Sequence, residues 1–370
     1  MFSHLKHITL YLLIVLLNPI ILLKNVKADN FSTVTRQGSI PNKRIKILSI
    51  DGGGIRGLIP AMVLKDLEGR LKSNKKLVDC FDIMAGASTG GLIILLLNTP
   101  DSNGKPKYNI DDVLSLYKNL GQDVFEKSLW QNAKSFFGWV DAKYSEKSFE
   151  SLLEKYFADT ELKNTITNVI LPAYEIEKDM TFFFKTSRAK NDPERNYKLK
   201  DLARAITAAP TYFRPAVVQE MTGKNTYTFI DGGVAVNNPT LSATVHAVEL
   251  HGYDNDFLII SLGTGTNIGS SSKKIERRDV ENAGLLGWAK KIIPLMMYSE
   301  NEVTDYQMRY VFDNHHPHND YFRMQIILDP KNSEMDDTSP DNIAVLEQKA
   351  KELIKKNDEN LNLIAEALCE

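Results

Sequence analysis

The chain has 370 residues, of which 43% are hydrophobic and 25% charged, values that are ordinary for a globular protein. The 45 Lys and Arg residues nearly balance the 47 Asp and Glu residues, so the formal net charge is only −2. This balance excludes a global excess of basic residues, and we therefore expect no nucleic acid among the partners. The two cysteines, Cys80 and Cys369, are too few for a small scaffold held together by disulfides.

The first 28 residues have the order of a secretory signal peptide. Lys6 precedes an apolar run over residues 8–23, and "VKA" ends at Ala28 with small or apolar residues at both flanking positions. The run falls short of the about 20 residues that span a bilayer, and Asn18–Pro19 interrupts it. We predict cleavage after Ala28 and export of the mature protein. A retained membrane anchor is the alternative.

Short apolar runs alternate with helical patterns along the rest of the chain. Runs such as "IKILSI", "CFDIMAG" and "DFLIISLG" predict strands, and stretches such as "LIPAMVLKDLEGRLK" predict helices between most of them. Strands that are apolar throughout are typical of parallel sheets buried on both faces. We predict an α/β fold with a mainly parallel central sheet flanked by helices on both faces. One domain spans residues 44–370, and residues 29–43 form a linker before it.

The stretch "ILSIDGGGIRGLIP" predicts a strand, a glycine-rich turn and a helix. Gly52, Gly54 and Gly57 fit the G-x-G-x-x-G spacing of a dinucleotide-binding turn, which presents backbone N–H groups to negative charge. That charge belongs either to a pyrophosphate or to the oxyanion of a reacting carbonyl. Asp51 directly precedes the glycines and would repel a pyrophosphate unless it points away. We therefore favour an oxyanion hole built from the N–H groups of Gly53 and Gly54.

A second glycine-framed motif, "GASTG", lies between a predicted strand and a predicted helix. Gly86 and Gly90 stand two residues on either side of Ser88, which is the spacing of a nucleophile elbow. The N-terminus of the following helix favours negative charge at the serine. Ser88 is the candidate nucleophile, and a tight turn with an incidental serine is the alternative.

A serine nucleophile needs a base, and the sequence offers two kinds. Asp231 ends the strand-like run "TYTFID" and precedes Gly232 and Gly233, at a strand end where α/β proteins build their sites. A turn Asp that hydrogen-bonds its own backbone is the alternative. The histidines after Ser88 fall in a helical pattern or in a polar loop that we interpret as solvated rather than as a metal site. They are His246, His251, His315, His316 and His318.

Together and in this order, "DGGGIRG", "GASTG" and "DGG" resemble the motifs of the patatin-like phospholipases, most closely the plant patatins. The resemblance extends to "ITAAPTYFRP", "SLGTGT" and "EMDDTSPDN", and so covers nearly the whole mature chain. It implies a three-layer architecture, and a lipid acyl hydrolase of the phospholipase A2 type that cleaves phospholipids or galactolipids without metal or cofactor. Plant patatins usually carry Ala where Gly233 stands, but Asp-Gly-Gly is a frequent variant.

The resemblance also implies roles for individual residues. Ser88 is the nucleophile of a Ser–Asp dyad, Asp231 is its general base, and the N–H groups of Gly52–Gly54 form the oxyanion hole. Arg56 either orders that loop or contacts lipid phosphate. The glycines that support the three motifs are Gly57, Gly86, Gly90, Gly232 and Gly233.

A lipid substrate is met at a membrane or micelle interface, and two segments combine basic residues with large apolar ones. One is "SLWQNAKSFFGWV", with Trp130, Phe136, Phe137 and Trp139, and the other is "WAKKIIPLMM", which starts at Trp288. Packing in the core is the alternative for both segments. Three further functions stay open: a storage or defence protein with incidental esterase activity, a Ser–His–Asp esterase, and dinucleotide binding.

Overall fold

A computed structural model of the chain describes residues 43–72, 75–120, 146–267, 285–313 and 320–370. The predicted signal peptide, nearly all of the predicted linker and the aromatic segment around Trp130 lie outside the described residues. What we predict for them stays a prediction. The described residues from Lys43 to Glu370 form one compact unit.

The described strands form one mixed sheet. They are β1 (Arg44–Ile50), β2 (Ile83–Gly86), β3 (Asn168–Glu175), β4 (Met180–Lys185), β5 (Ala216–Gln219), β6 (Thr226–Asp231), β7 (Asp256–Leu262) and β8 (Asp320–Met324). The order across the sheet is β5-β6-β3-β2-β1-β7-β8, with β4 paired to β3 beside this path. The neighbouring strands β3, β2, β1, β7 and β8 are parallel to one another. By contrast, β4 and β6 are antiparallel to β3, and β5 is antiparallel to β6.

Helices follow most of the strands. They are α1 (Leu58–Arg70), α2 (Leu77–Cys80), α3 (Thr89–Asn98), α4 (Ile110–Leu120), α5 (Glu146–Phe157), α6 (Thr186–Asn191), α7 (Leu199–Ile206), α8 (Thr240–His251), α9 (Leu285–Asp313), α10 (Pro340–Lys356) and α11 (Asp358–Cys369). Where the structure describes the chain, no helix combines the length and the apolar character needed to cross a membrane.

Successive residues of β1 divide between two hydrophobic cores. Leu48 and Ile50 pack with α1, α3 and α10 on one face of the sheet. Ile45 and Ile47 pack with α8 and α9 on the other face. Side chains alternate across a strand, so a strand that is apolar throughout needs a helix layer on each side. This arrangement confirms the predicted α/β fold with helices on both faces.

Candidate active site

The chain turns sharply at Ser88, between the end of β2 and the start of α3. Ser88 has a φ of 49°, a left-handed conformation that is uncommon for any residue with a side chain. A Cβ on Gly86 would lie 2.3 Å from the Gly90 carbonyl carbon, and one on Gly90 would lie 2.3 Å from the Ile50 carbonyl oxygen. Only glycines allow this close approach, and the turn has the form of a nucleophile elbow.

Ser88 and Asp231 line the same cavity, although 143 positions separate them along the chain. Asp231 is buried at the end of β6, and its Oδ1 accepts a hydrogen bond from the Gly233 N–H at 2.7 Å. Burial raises the pKa of the Asp231 carboxyl to about 6, while hydrogen bonding from the Ser88 hydroxyl and from Gly233 limits the rise. A carboxyl with this pKa is suited to taking up a proton near neutral pH. Gly232 packs directly against the Pro172 carbonyl.

The cavity beside Ser88 has a volume of about 110 Å³ and walls that are mostly apolar. Its lining comes from segments far apart in the sequence, including Ile55, Leu92, Phe149, Phe213, Val234, Met297 and Met335. Such walls accept a hydrocarbon chain and offer few partners to a charged ligand. A carbonyl attached to a hydrocarbon chain in this cavity would lie beside the Ser88 hydroxyl.

Two backbone donors of the glycine loop after β1 have no acceptor among the described residues. The Gly52 N–H donates to the Asn237 carbonyl at 3.0 Å, and the Ile55 N–H donates to the Met335 carbonyl at 2.9 Å. The N–H groups of Gly53 and Gly54 donate to no atom of the described residues. Of the three N–H groups predicted for the oxyanion hole, only those of Gly53 and Gly54 can bind an oxyanion, because the Gly52 N–H already donates to Asn237.

Gly54 and Arg56 fix the shape of this loop. Gly54 has a φ of 60°, and a Cβ there would lie 2.1 Å from the Met335 carbonyl oxygen. Arg56 is buried, and its Nε donates to the Gly53 carbonyl at 3.1 Å. Its Nη1 lies 3.3 Å from both the Gly265 carbonyl and the Tyr298 hydroxyl. These contacts favour the loop-ordering role of Arg56 over contact with lipid phosphate. Gly57 packs against the hydroxyl of Tyr117.

Asp51 does not face the glycines. Its carboxylate pairs with Arg323 on β8, and both side chains are buried. The expected repulsion between Asp51 and a pyrophosphate is therefore not an argument against a cofactor, because Arg323 already compensates this charge. The apolar lining of the cavity argues against a pyrophosphate instead.

His246 lies at a different place from Ser88. It is buried on α8, where its Nδ1 donates to Glu249 at 2.9 Å and its Nε2 lies 3.3 Å from the Ser187 hydroxyl. This chain of contacts has the connectivity of a Ser–His–acid triad, but Glu249 is also bound by Lys185 and Arg188. Burial lowers the pKa of His246, so the ring stays neutral near pH 7. We interpret the cluster as a set of polar contacts that holds α6 against α8.

The other histidines that follow Ser88 in the sequence lie either on α8 or outside the described residues. His251 is exposed at the end of α8, and His315, His316 and His318 lie outside the described residues. Among the residues that are described, no group of three or more His, Cys, Asp and Glu side chains is placed to hold a metal ion. The absence of a metal stays a prediction.

Three supporting residues have roles that the sequence alone does not indicate. Asn237 binds the Gly52 N–H, Thr264 donates from its Oγ1 to the Gly52 carbonyl at 2.6 Å, and Met335 binds the loop at Ile55. Thr264 and Met335 belong to "SLGTGT" and "EMDDTSPDN", two of the segments on which the family resemblance rests. Nothing in their composition points to contact with the glycine loop.

The chain is similar to known proteins over most of its length. The sequence model of the family described as patatin-like phospholipase matches residues 48–244. Patatin-like protein 2 of Arabidopsis thaliana is 34% identical over 351 residues, which cover 86% of this chain and 85% of that protein. Patatin-B1 of Solanum tuberosum is 34% identical over 333 residues, which cover 84% of each protein.

Among solved structures, VipD from Legionella pneumophila aligns with a TM-score of 0.37 and 12% identity, over 85% of this chain and 67% of that chain. A TM-score this low adds nothing to the assignment. The segment matched by the family model is more than half of the chain and contains both Ser88 and Asp231. The chain therefore belongs to the patatin-like phospholipase family.

Proposed function

We propose that the protein is a lipid acyl hydrolase that cleaves ester-linked fatty acids from phospholipids or glycolipids with a Ser88–Asp231 dyad. Family membership supports hydrolysis of lipid esters. The observation that carries the finer proposal is that Ser88, Asp231 and Gly54 line one apolar cavity, and that the N–H groups of Gly54 and the adjacent Gly53 donate to no atom of the described residues. The cavity takes the acyl chain, and the headgroup stays outside it.

The reaction would proceed in two halves. Ser88 Oγ attacks the ester carbonyl carbon while Asp231 takes the hydroxyl proton, and the N–H groups of Gly53 and Gly54 bind the oxyanion. The tetrahedral intermediate collapses to an acyl-Ser88, and the proton on Asp231 passes to the leaving alcohol. Water then attacks the acyl carbon, gives its proton to Asp231, and the fatty acid leaves as Ser88 regains that proton.

Product analysis of mixed lipids tests this proposal. The wild-type protein should release fatty acids from ester lipids, and Ser88→Ala and Asp231→Ala should each lower the rate by at least about 10³-fold. Mass spectrometry should find a fluorophosphonate adduct on Ser88 of the wild-type protein. Undiminished turnover by folded Ser88→Ala would refute the proposal.

His246→Gln separates the dyad from a Ser–His–Asp esterase. Because His246 does not line the Ser88 cavity, the variant should keep the wild-type rate. A folded but inactive His246→Gln protein would overturn the dyad. The same adduct map should leave Ser187 unlabelled, since we assign the Ser187–His246–Glu249 cluster a structural role.

Choice of substrate and ligand separates the lipid hydrolase from a storage protein and from a dinucleotide-binding protein. A storage or defence protein with incidental esterase activity would hydrolyse a soluble short-chain ester but leave lipid vesicles nearly intact. A dinucleotide-binding protein would bind NAD, and a fluorescence titration measures that directly. We expect hydrolysis of vesicle lipids and no NAD binding.

We further propose that α9 brings the cavity to the lipid surface. Met297 lines the cavity, and the preceding residues Leu295 and Met296 are 39% and 46% exposed on the same helix. Ile292 is exposed one turn earlier. An acyl chain that leaves a bilayer for this cavity stays out of water only if the cavity opening touches the lipid. The exposed apolar side chains that directly precede Met297 on α9 support this orientation.

A further inference from the structure

Each free N–H group of the glycine loop belongs to a peptide unit whose carbonyl is held from the opposite side. The unit that contains the Gly53 N–H also contains the Gly52 carbonyl, which accepts the Thr264 hydroxyl at 2.6 Å. The unit that contains the Gly54 N–H also contains the Gly53 carbonyl, which Arg56 binds through its backbone N–H and its Nε. In a planar trans peptide, N–H and C=O point in opposite directions. A donor on each carbonyl therefore fixes the direction of the N–H across from it.

Among the described residues, the Thr264 hydroxyl makes no hydrogen bond other than the one to the Gly52 carbonyl. It is buried two residues after the end of β7, and it does not line the cavity. A Cβ on Gly53 would lie 2.3 Å from Thr264 Oγ1, so the hydroxyl packs directly against the loop. A hydrogen bond to a peptide carbonyl also polarises the peptide and strengthens its N–H as a donor. The contact thus acts on both the direction and the strength of the Gly53 N–H.

We propose that Thr264 is a positioning residue of the oxyanion hole, whose hydroxyl aims the Gly53 N–H at the carbonyl oxygen of the acyl group on Ser88. The inference rests on the proposed function and deepens it. Thr264 does not touch the substrate, so it acts only through the peptide it holds. Its effect belongs to the transition state, where charge develops on the oxygen.

Kinetics of Thr264→Val, Thr264→Ala and Thr264→Ser test the proposal with a soluble ester. Val keeps the shape of Thr but lacks the hydroxyl, and kcat should fall about 10- to 100-fold, below the full loss of an oxyanion donor. KM should stay within twofold, because the cavity walls do not change. The rate of fluorophosphonate reaction, which passes through a similar charged state, should fall in parallel with kcat. Ser keeps the hydroxyl and should restore most of the rate.

Thr99→Val is the matched control. The Thr99 hydroxyl is buried and donates to the Leu95 carbonyl at 2.8 Å at the far end of α3. The variant therefore loses the same kind of bond without touching the glycine loop. Its kcat should match the wild type, even if its stability falls as much as that of Thr264→Val.

Three results would overturn the inference. They are a folded Thr264→Val or Thr264→Ala protein with the kcat of Thr99→Val, a rise in KM in place of the fall in kcat, or a Thr264→Ser protein as slow as Thr264→Ala. Ala introduces no clash and serves if Val does not fold. Ser88→Ala keeps the two questions apart, because its full activity would refute the proposed function whatever Thr264 does.

Discussion

Arg323 holds Asp51 through two parallel hydrogen bonds, from Nη1 to Oδ1 at 2.8 Å and from Nη2 to Oδ2 at 2.5 Å. Both side chains are almost fully buried, with exposed fractions of 5% and 0%. Arg323 lies beside Ser261 in the register of β7 and β8, and also donates to its hydroxyl at 2.9 Å. Burial raises the pKa of the Asp51 carboxyl, and Arg323 opposes this rise. The pair links β8 across β7 to the residue from which the glycine loop starts.

Arg323→Met should destabilise the fold by about 3–5 kcal/mol, because it leaves the Asp51 carboxylate buried without a partner. Arg323→Lys keeps the positive charge but cannot form both hydrogen bonds to Asp51. Because Asp51 directly precedes the glycine loop, the loop should shift and kcat should fall about tenfold. Urea unfolding and steady-state kinetics measure the two effects. Adding Asp51→Leu to Arg323→Met should recover much of the stability, because no buried charge then remains.

Arg44→Met is the control for Arg323, because Arg44 pairs with Asp320 at the opposite end of the same two strands. That pair is partly exposed, and its loss should cost less than about 1 kcal/mol. The kcat of Arg44→Met should equal that of the wild type. Equal losses of stability in Arg44→Met and Arg323→Met would contradict the special role of the buried pair.

The pH dependence of the rate should follow the Asp231 carboxyl. Burial raises its pKa to about 6, and the ionised form is the one that accepts the Ser88 proton. With a soluble ester, kcat/KM should be constant above about pH 7 and fall about tenfold per pH unit well below 6. His246→Gln should show the same profile. A profile that loses its midpoint in this variant would assign the titration to the histidine instead.

Asp231→Asn should stabilise the protein at alkaline pH while abolishing activity. The carboxyl titrates at 3.8 in its ordinary state and at about 6 when folded, so the folded protein binds the proton more tightly. The associated stability is fully present below about pH 4 and is lost as the pH rises through 6, by about 3 kcal/mol. Asn carries no charge and avoids this loss. Thermal unfolding should show a gain for Asp231→Asn at pH 8 and none at pH 4.

Asp254→Asn is the control for the charge change, since Asp254 is exposed beyond α8. Its unfolding temperature should match the wild type at both pH values. A gain in Asp231→Asn that is equal at pH 4 and pH 8 would show that packing, and not ionisation, causes it.

The parts of the site that the sequence predicts are those with local causes. The turn at Ser88 needs small residues within two positions on either side, and that spacing is visible in "GASTG". The supports of the glycine loop come from far away, since Thr264 is 212 positions from Gly52. Which carbonyl a buried hydroxyl reaches depends on strand order and register, and the sequence pattern defines neither. The partner of the Gly52 N–H could not be predicted for the same reason, because Asn237 lies beyond β6 in the sequence.

The fold shows the same division. Apolar runs indicate buried strands, and the layers of helices on both faces follow from that burial. The sequence pattern does not predict the antiparallel part around β4, β5 and β6, because the direction of a strand in a sheet depends on its pairing partners and leaves no mark in a short run of residues. The β5 strand also escapes the pattern, since its four residues alternate between buried and exposed positions. The residues of the cavity wall could not be predicted from the sequence either, because residues as distant in the chain as Phe149 and Met335 both line it.

The last prediction concerns the lipid-facing residues of α9. Replacing Leu295 and Met296 together with Ser should weaken binding to phosphatidylcholine–phosphatidylglycerol vesicles at least tenfold, because each side chain contributes about 1 kcal/mol when partly buried in lipid. Vesicle flotation measures the binding. Hydrolysis of vesicle lipids should fall in parallel, whereas hydrolysis of a soluble ester should not change, since neither residue lines the cavity.

Val303→Ser with Tyr306→Ser is the control on the same helix. These side chains are 53% and 70% exposed, so the control removes at least as much exposed apolar surface. They lie about 10–15 Å further along the helix from Met296, at 1.5 Å per residue. If proximity to the cavity decides which surface meets lipid, this pair should bind vesicles like the wild type. Equal weakening in both pairs would show a general effect of surface polarity, and unchanged binding by the Leu295–Met296 variant would exclude this part of α9 as the lipid contact.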